Sequence, residues 1–335
     1  MKKMNKILSV MMAAAMTVSM TACGGDTASD NTSASADNSA ATTESAAAGS
    51  TDGQKYTIGI LQQLEHPALD AASQGFEDAL TELLGADNVT FDLQNAQGEQ
   101  ANCATIANNF VAGNYDLILA NATTALQCSA AATSTIPILG TSVTDSTGRN
   151  ISGTSDLAPL DEQEAMIKEL FPDVKTVGIL YCSAEPNSKY QATQIEAALD
   201  ADGIAYKEYT ASDSNDITSV VQTAVSEVDV IYIPTDNTMA NNTETINNIA
   251  LPAGIPIIAG EEGICSGCGV ATLSISYYDI GYTAGQMAYD ILVNGADITT
   301  MEIKTAPQVT KEYNADICSQ LGITPPDDYV AIETE

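Results

Sequence analysis

Two carboxylates and a pair of hydroxyls stand where a small ligand would be held. Asp236, in Pro234-Thr235-Asp236-Asn237, and Glu261, in Gly260-Glu261-Glu262, each follow an apolar run of strand character. Thr123 and Thr124 follow a similar run, Leu117–Ala120, earlier in the chain. Carboxylates at such turns hold a ligand ammonium through charge-assisted hydrogen bonds. Hydroxyls and backbone N–H groups at a helix start hold a carboxylate. The pattern reads as a site for a small zwitterion. Both acids also have plainer uses: Asp236 as the N-cap of a helix starting at Thr238, and Glu261 as a solvated loop residue.

His66 is the only histidine. It precedes the first helical stretch and suits either a hydrogen-bonding role at a cleft edge or a structural one. Tyr181, at a strand end, offers a flat apolar wall with a polar tip; Tyr277 and Tyr278 are walls or packing. Catalysis finds little support. One histidine leaves a single candidate base, and no GxSxG elbow, GxGxxG turn after the first strand or P-loop occurs. A binding protein without cofactor or resident metal is expected.

The elements that must position these residues come in two similar sets. Ile58-Gly59-Ile60-Leu61 is echoed by Val177-Gly178-Ile179-Leu180, Asp116–Leu119 by Asp229–Tyr232, and Ile136–Leu139 by Ile255–Ile258. Strand and helix signals alternate in both halves, which predicts two α/β lobes with parallel sheets flanked by helices. Helices are expected at Pro67–Leu84, Gln100–Val111, Thr124–Thr133, Ser188–Ala201, Thr238–Ile249 and Ile280–Val293, with a last strand near Met301–Ile303. Ligands of such sheets sit beyond the carboxyl ends of the strands. There the two lobes differ: hydroxyls and amides in the first, carboxylates in the second.

The chain starts as a secretion signal. Lys2, Lys3 and Lys6 precede a short apolar stretch, Ile7 to Met20, too short for a comfortable membrane span. Met20-Thr21-Ala22-Cys23 resembles a lipobox, which makes residues 1–22 a lipoprotein signal peptide and Cys23 the lipid anchor. Residues 23–55 are rich in Ala, Ser, Thr and Asp and read as a flexible tether. The formal net charge of -33, from 11 basic and 44 acidic residues, disfavours nucleic acid as a partner. Six cysteines remain besides Cys23, and the flanking glycines make Cys265-Ser266-Gly267-Cys268 a loop with a local disulfide, ahead of zinc or redox chemistry.

Several motifs carry a resemblance: Gly59–Asp70 (GILQQLEHPALD), Asn95–Glu99 (NAQGE), Gly153–Pro159 (GTSDLAP), Pro234–Thr238 (PTDNT) and Tyr277–Gly285 (YYDIGYTAG). They resemble the solute-binding lipoproteins of ABC importers with the type I periplasmic-binding fold, in the branch linked to tryptophan, tyrosine and phenylalanine uptake. The resemblance covers about Tyr56 to Pro326. It implies two Rossmann-like lobes joined by three hinge crossovers, with residues 56–154 plus about 277–302 in the N-terminal lobe and 155–276 plus about 303–335 in the C-terminal one. It carries over as binding positions Glu65, His66, Gln97, Thr123, Glu185, Asn187, Asp236, Asn237 and Glu261; Thr124 and Tyr181 are added from the residues alone. Departures stand at Asn121, Ser146 and Cys182. The implied function is extracytoplasmic capture of a zwitterion, an aromatic amino acid first, by a monomer on the outer face of the bacterial membrane. Its partners are then an ABC permease and ATPase. A nucleoside, a branched-chain amino acid, or a sensing or adhesin role on the same fold remain as alternatives.

Overall fold

A computed structural model of the chain describes residues 53–144, 148–306 and 308–332. The signal peptide 1–22, the anchor Cys23, most of the tether 23–55 and the departure at Ser146 lie outside the described residues.

The first lobe runs β1 (Tyr56–Gln62), α1 (Pro67–Leu84), β2 (Val89–Asn95), α2 (Gln100–Ala112), β3 (Leu117–Asn121), α3 (Thr123–Ala132), β4 (Ile138–Val143) and β5 (Ile151–Ser155). The second holds α4 (Leu160–Leu170), β6 (Thr176–Cys182), α5 (Pro186–Asp202), β7 (Ala205–Ala211), α6 (Ile217–Ala224) and β8 (Val230–Ile233). It continues with α7 (Asn237–Ala240), α8 (Thr243–Ala253), β9 (Ile257–Ala259), α9 (Glu262–Cys268) and β10 (Ala271–Ser274). The chain then returns to the first lobe with α10 (Tyr277–Leu292) and β11 (Lys304–Thr305). It ends in the second with β12 (Thr310–Tyr313), α11 (Ala315–Leu321) and β13 (Val330–Ala331).

The sheets are ordered β11-β5-β4-β3-β1-β2 and β13-β12-β10-β9-β8-β6-β7. Every pairing is parallel except β10 with β12. Central strands such as β3 and β4 are buried at every residue, as strands covered on both faces must be. β1 has β2 on one side and β3 on the other, and β6 likewise lies between β7 and β8. The order therefore reverses at the same place in both lobes, where a ligand crevice opens. Between the sheets the chain passes three times: after Ser155, after Ser274 and after Thr305.

The first helix shows how sequence sets the site's frame. Pro67 opens α1 and Gly85, at φ 84°, closes it. Leu69, Ala72, Phe76, Ala79 and Leu80 fall on one buried face at helical spacing. That face meets the sheet through Ile58, Ile60 and Leu119, and meets α10 along a glycine seam. A Cβ on Gly281 would stand 2.0 Å from the Ala72 carbonyl oxygen, and one on Gly75 would stand 2.2 Å from the Tyr278 oxygen. The close approach fixes His66, ahead of α1, relative to Tyr277, at the start of α10.

Some elements differ from expectation. The helix expected at Thr238–Ile249 is two, α7 and α8, broken at Asn241-Asn242, where the Asn242 amide donates back to the Thr238 carbonyl oxygen (2.7 Å). The strand expected near Met301–Ile303 lies just after it, as β11, and is preceded by a 3-10 turn at Ile298–Thr300. The expected Cys265–Cys268 disulfide loop is helix α9, and all six described cysteines are free thiols. Glycine content suggested a loop there, but Gly267 packs directly beneath Thr243 and the Glu261 carboxylate caps the first turn. The Cys268 thiol donates to the Ile264 carbonyl oxygen of its own helix instead (3.3 Å). No described helix is long and apolar enough to cross a membrane.

Candidate functional site

Strand-end turns of both sheets and two chain crossings enclose a narrow cavity of about 10 Å3. The first lobe supplies His66, Leu69 and Ser142, and the second Asn187, Asp236 and Glu261. Asp156 and Tyr277 come from the crossings. Three carboxyls share this space, and no Lys or Arg is among the described residues lining it.

Helix capping positions two of the three. Asp236 is the N-cap of α7: its Oδ1 accepts from the Met239 N–H (2.9 Å) and its Oδ2 from the Cys182 N–H (2.7 Å). Those donors favour the ionised form, but burial and the nearby Glu185 charge outweigh them and push the carboxyl up to about 8. Glu261 caps α9 in the same way, accepting from the N–H groups of Gly263 (2.7 Å) and Ile264 (2.5 Å). Burial raises its pKa, offset by His66 and the two backbone donors.

Asp156 is held differently. Its Oδ2 accepts the Tyr277 hydroxyl, at 3.3 Å, and its buried Oδ1 has no partner. Burial pushes this carboxyl up to about 6, with the Tyr277 hydroxyl and its own backbone N–H pulling it down and the Glu261 charge adding to the rise. The Ser142 hydroxyl, 6% exposed, is likewise without a partner. Buried polar atoms are almost always paired, so an unpartnered carboxyl oxygen among other acids marks a place that accepts a cation such as an ammonium. Backbone strain gathers here as well. Gln97 (φ 58°), Ala122 (φ 87°) and Ser142 (φ 54°) are three of the four described non-glycine residues at positive φ, and all lie at strand ends of the first lobe.

The lobes touch across the site: the His66 Nε2–H donates to the Asn237 Oδ1 at 3.1 Å. Of the residues expected from sequence, His66, Asn187, Asp236, Asn237 and Glu261 line the inner cavity. Gln97, Thr124 and Glu185 line the outer part of the cleft beside Asn237. Thr123 borders a side groove with Leu126, Pro186, Asn187 and Tyr190. Glu185 is already committed, its two oxygens accepting from the backbone and side chains of Asn237 and Thr238 at 2.7–3.0 Å. It braces α7 from below.

Two expected positions stand elsewhere. Glu65 is exposed and lines none of these spaces. Tyr181 is 4% exposed, packs in the second lobe's core with Ile179 and Ala192, and donates its hydroxyl to Glu208 (2.9 Å). Strand alternation is the reason: Leu180 and Cys182 face the opposite layer, so Tyr181 cannot face the cleft. Asp156 was missed, and its only signal was an acid just past a buried strand in Gly153–Pro159. Among the described residues, no group of three or more His, Cys, Asp or Glu is arranged to hold a metal ion.

Comparison with known proteins follows the same lines. The family model described as ABC transporter substrate binding protein matches residues 57–335. A "Tyrosine-binding protein" of Clostridioides difficile (strain R20291) is 33% identical over 336 residues, covering 96% of this chain and 93% of the relative. The structure of an ABC domain in complex with L-Trp from Streptococcus pneumonia is 32% identical with a TM-score of 0.78, covering 82% of this chain and 97% of that one. A ligand-free, open substrate binding protein with adhesive properties from Clostridium difficile is 34% identical with a TM-score of 0.64, covering 84% of this chain and all 100% of that one. This chain belongs to the ABC transporter substrate binding protein family.

Proposed function

We propose that this chain captures an aromatic L-amino acid outside the cytoplasmic membrane and delivers it to an ABC permease and its ATPase. The observation that carries the reading is the unpartnered, buried Asp156 Oδ1 in a cavity holding three carboxyls and lined by no Lys or Arg. An ammonium there neutralises a charge that burial alone leaves uncompensated. The ligand's carboxylate goes toward the first lobe, where Ser142 offers an unpartnered hydroxyl and Ala122, the N-cap of α3, offers no side-chain acceptor to the first-turn N–H groups. The aromatic class rests on two relatives, one named for tyrosine and one bound to L-Trp.

In this reading residues 1–22 are removed, Cys23 is lipidated, and residues 23–55 tether the lobes to the outer face of the membrane. The protein acts as a monomer and catalyses nothing. The function is binding, lobe closure and docking. A thermal-shift screen tests the class. Tyrosine, tryptophan or phenylalanine should raise Tm by several degrees at 1 mM, while nucleosides and branched-chain amino acids leave it unchanged. Stabilisation by nucleosides or branched-chain amino acids alone rejects the aromatic assignment.

A further inference from the structure

Helices α2 and α3 pack side by side against the first sheet, and Cys103 of α2 and Cys128 of α3 belong to the same buried cluster. Cys103 of α2 is fully buried; Cys128 of α3 is 8% exposed and lines a surface recess walled by Ala101, Ala104 and Ala131. Neither thiol serves the ligand cavity. The Cys103 thiol donates to the Gln63 Oε1 at 3.1 Å, and the Cys128 thiol donates to the Gln100 carbonyl oxygen at 3.8 Å. The Cys128 thiol thus reaches the first turn of α2, three residues from Cys103. Burial and the Cys128 charge push Cys103 up to about 12, whereas burial raises Cys128 and the hydrogen bond with Cys103 opposes that rise.

We infer that Cys103 and Cys128 form a dithiol that closes into a disulfide, stapling α2 to α3 beside the cleft. The chemistry has two steps and needs a disulfide oxidant, such as glutathione disulfide or an exported dithiol oxidase. Cys128, reachable through its recess and the less perturbed thiol, attacks one sulfur of the oxidant as its thiolate and releases one thiol. Cys103 then loses its proton, attacks the Cys128 sulfur of the mixed disulfide and releases the second thiol. The cysteines give up two electrons and two protons, and the oxidant becomes two thiols.

The bond also touches the cleft. Oxidation removes the S–H that the Gln63 side chain accepts, and the Gln63 amide donates to the Gly98 carbonyl oxygen. Gln63, Gln97 and Gly98 line the outer cleft. The cysteine pair is thereby joined to the loop that carries the strained Gln97.

The test exposes the full-length chain to 5 mM glutathione disulfide at pH 8, alkylates free thiols, and maps peptides by mass spectrometry without reductant. The expected product is one cross-linked pair carrying Cys103 and Cys128, two hydrogens lighter than the separate peptides. In Cys103→Ala the resolving thiol is gone, and Cys128 should instead carry glutathione. Dithiothreitol should lower the Tm of the oxidised wild-type chain by about 5 °C and leave Cys103→Ala unmoved. Recovery of Cys103 and Cys128 alkylated after exposure overturns the inference. So does glutathione retained on wild-type Cys128, a cross-link to any other cysteine, or a Tm indifferent to reduction.

Discussion

Ligand binding should depend on pH through Asp156, with a size fixed by its environment. Burial raises this carboxyl to about 6, and an ammonium ligand is held by the ionised form. By simple titration about one tenth of the carboxyl is ionised at pH 5 and about nine tenths at pH 7. Affinity should therefore rise about tenfold from pH 5 to pH 7 and level off above. Asp236, whose carboxyl burial and the neighbouring Glu185 charge also raise, is a worse partner near neutrality, because more of it stays protonated there. The assay is calorimetric titration of tyrosine or tryptophan at pH 5, 6 and 7, each in two buffers of different ionisation enthalpy. Near pH 6, binding should release about half a proton, since about half of the carboxyl is still protonated there. Asp156→Asn should flatten the pH profile and weaken binding at pH 7 by about 100-fold, the scale expected when one partner of a buried charge pair is removed. A dissociation constant flat from pH 5 to 7, or a slope that survives in Asp156→Asn, refutes the assignment of the ammonium to Asp156.

The same groups set the stability of the ligand-free protein in the opposite sense. Asp156 and Asp236 have folded-state pKa values above their ordinary ones, so the folded state holds more protons between about pH 4 and 8 and loses stability as pH rises. The Asp156 share is up to about 3 kcal/mol, so urea midpoints should fall from pH 5 to 7.5 and Asp156→Asn should reduce that fall. Midpoints that rise over this range count against the cavity's electrostatics. The glycine seam gives a separate test: Gly281→Ala drives a Cβ to within 2.0 Å of the Ala72 oxygen and should cost about 2–3 kcal/mol, read as a lower urea midpoint. An unchanged midpoint means that α1 and α10 are not held at this separation.

The lobes were legible because their strands are buried on both faces. A strand such as β3 has to be a continuous apolar run, and its echo in β8 is visible without any other information. Elements with a mixed environment were harder to see. β5 reads Ile-Ser-Gly-Thr-Ser, yet all five residues are buried, because it lies inside the sheet between β4 and β11. Its polar side chains are satisfied by partners far along the chain, such as the Met301 carbonyl oxygen that accepts from the Ser152 hydroxyl at 3.1 Å. No local pattern announces a strand whose hydrogen-bond partners are that distant. With β5 not recognised as a strand, Asp156, which follows it directly, did not stand out as a strand-end residue.

The acids that were found owe their visibility to the same cause as their geometry. Asp236 and Glu261 follow strands and open helices, so their positions suit both capping and ligand binding, and in the structure each accepts two backbone N–H groups. Capping does not compete with binding here. It orients the carboxyl toward the cavity and holds it there without a salt-bridge partner, so the charge stays uncompensated. The cap also limits what each acid can give, because two lone-pair directions are already taken. A carboxyl that is buried but uncapped is then the stronger ligand group, and Asp156 is the cavity acid in that position. Replacing Asp236 removes a brace between the turns after β6 and β8 as well as a charge. Replacing Asp156 removes the charge while breaking one long bond to Tyr277, so its effect on affinity should exceed its effect on fold.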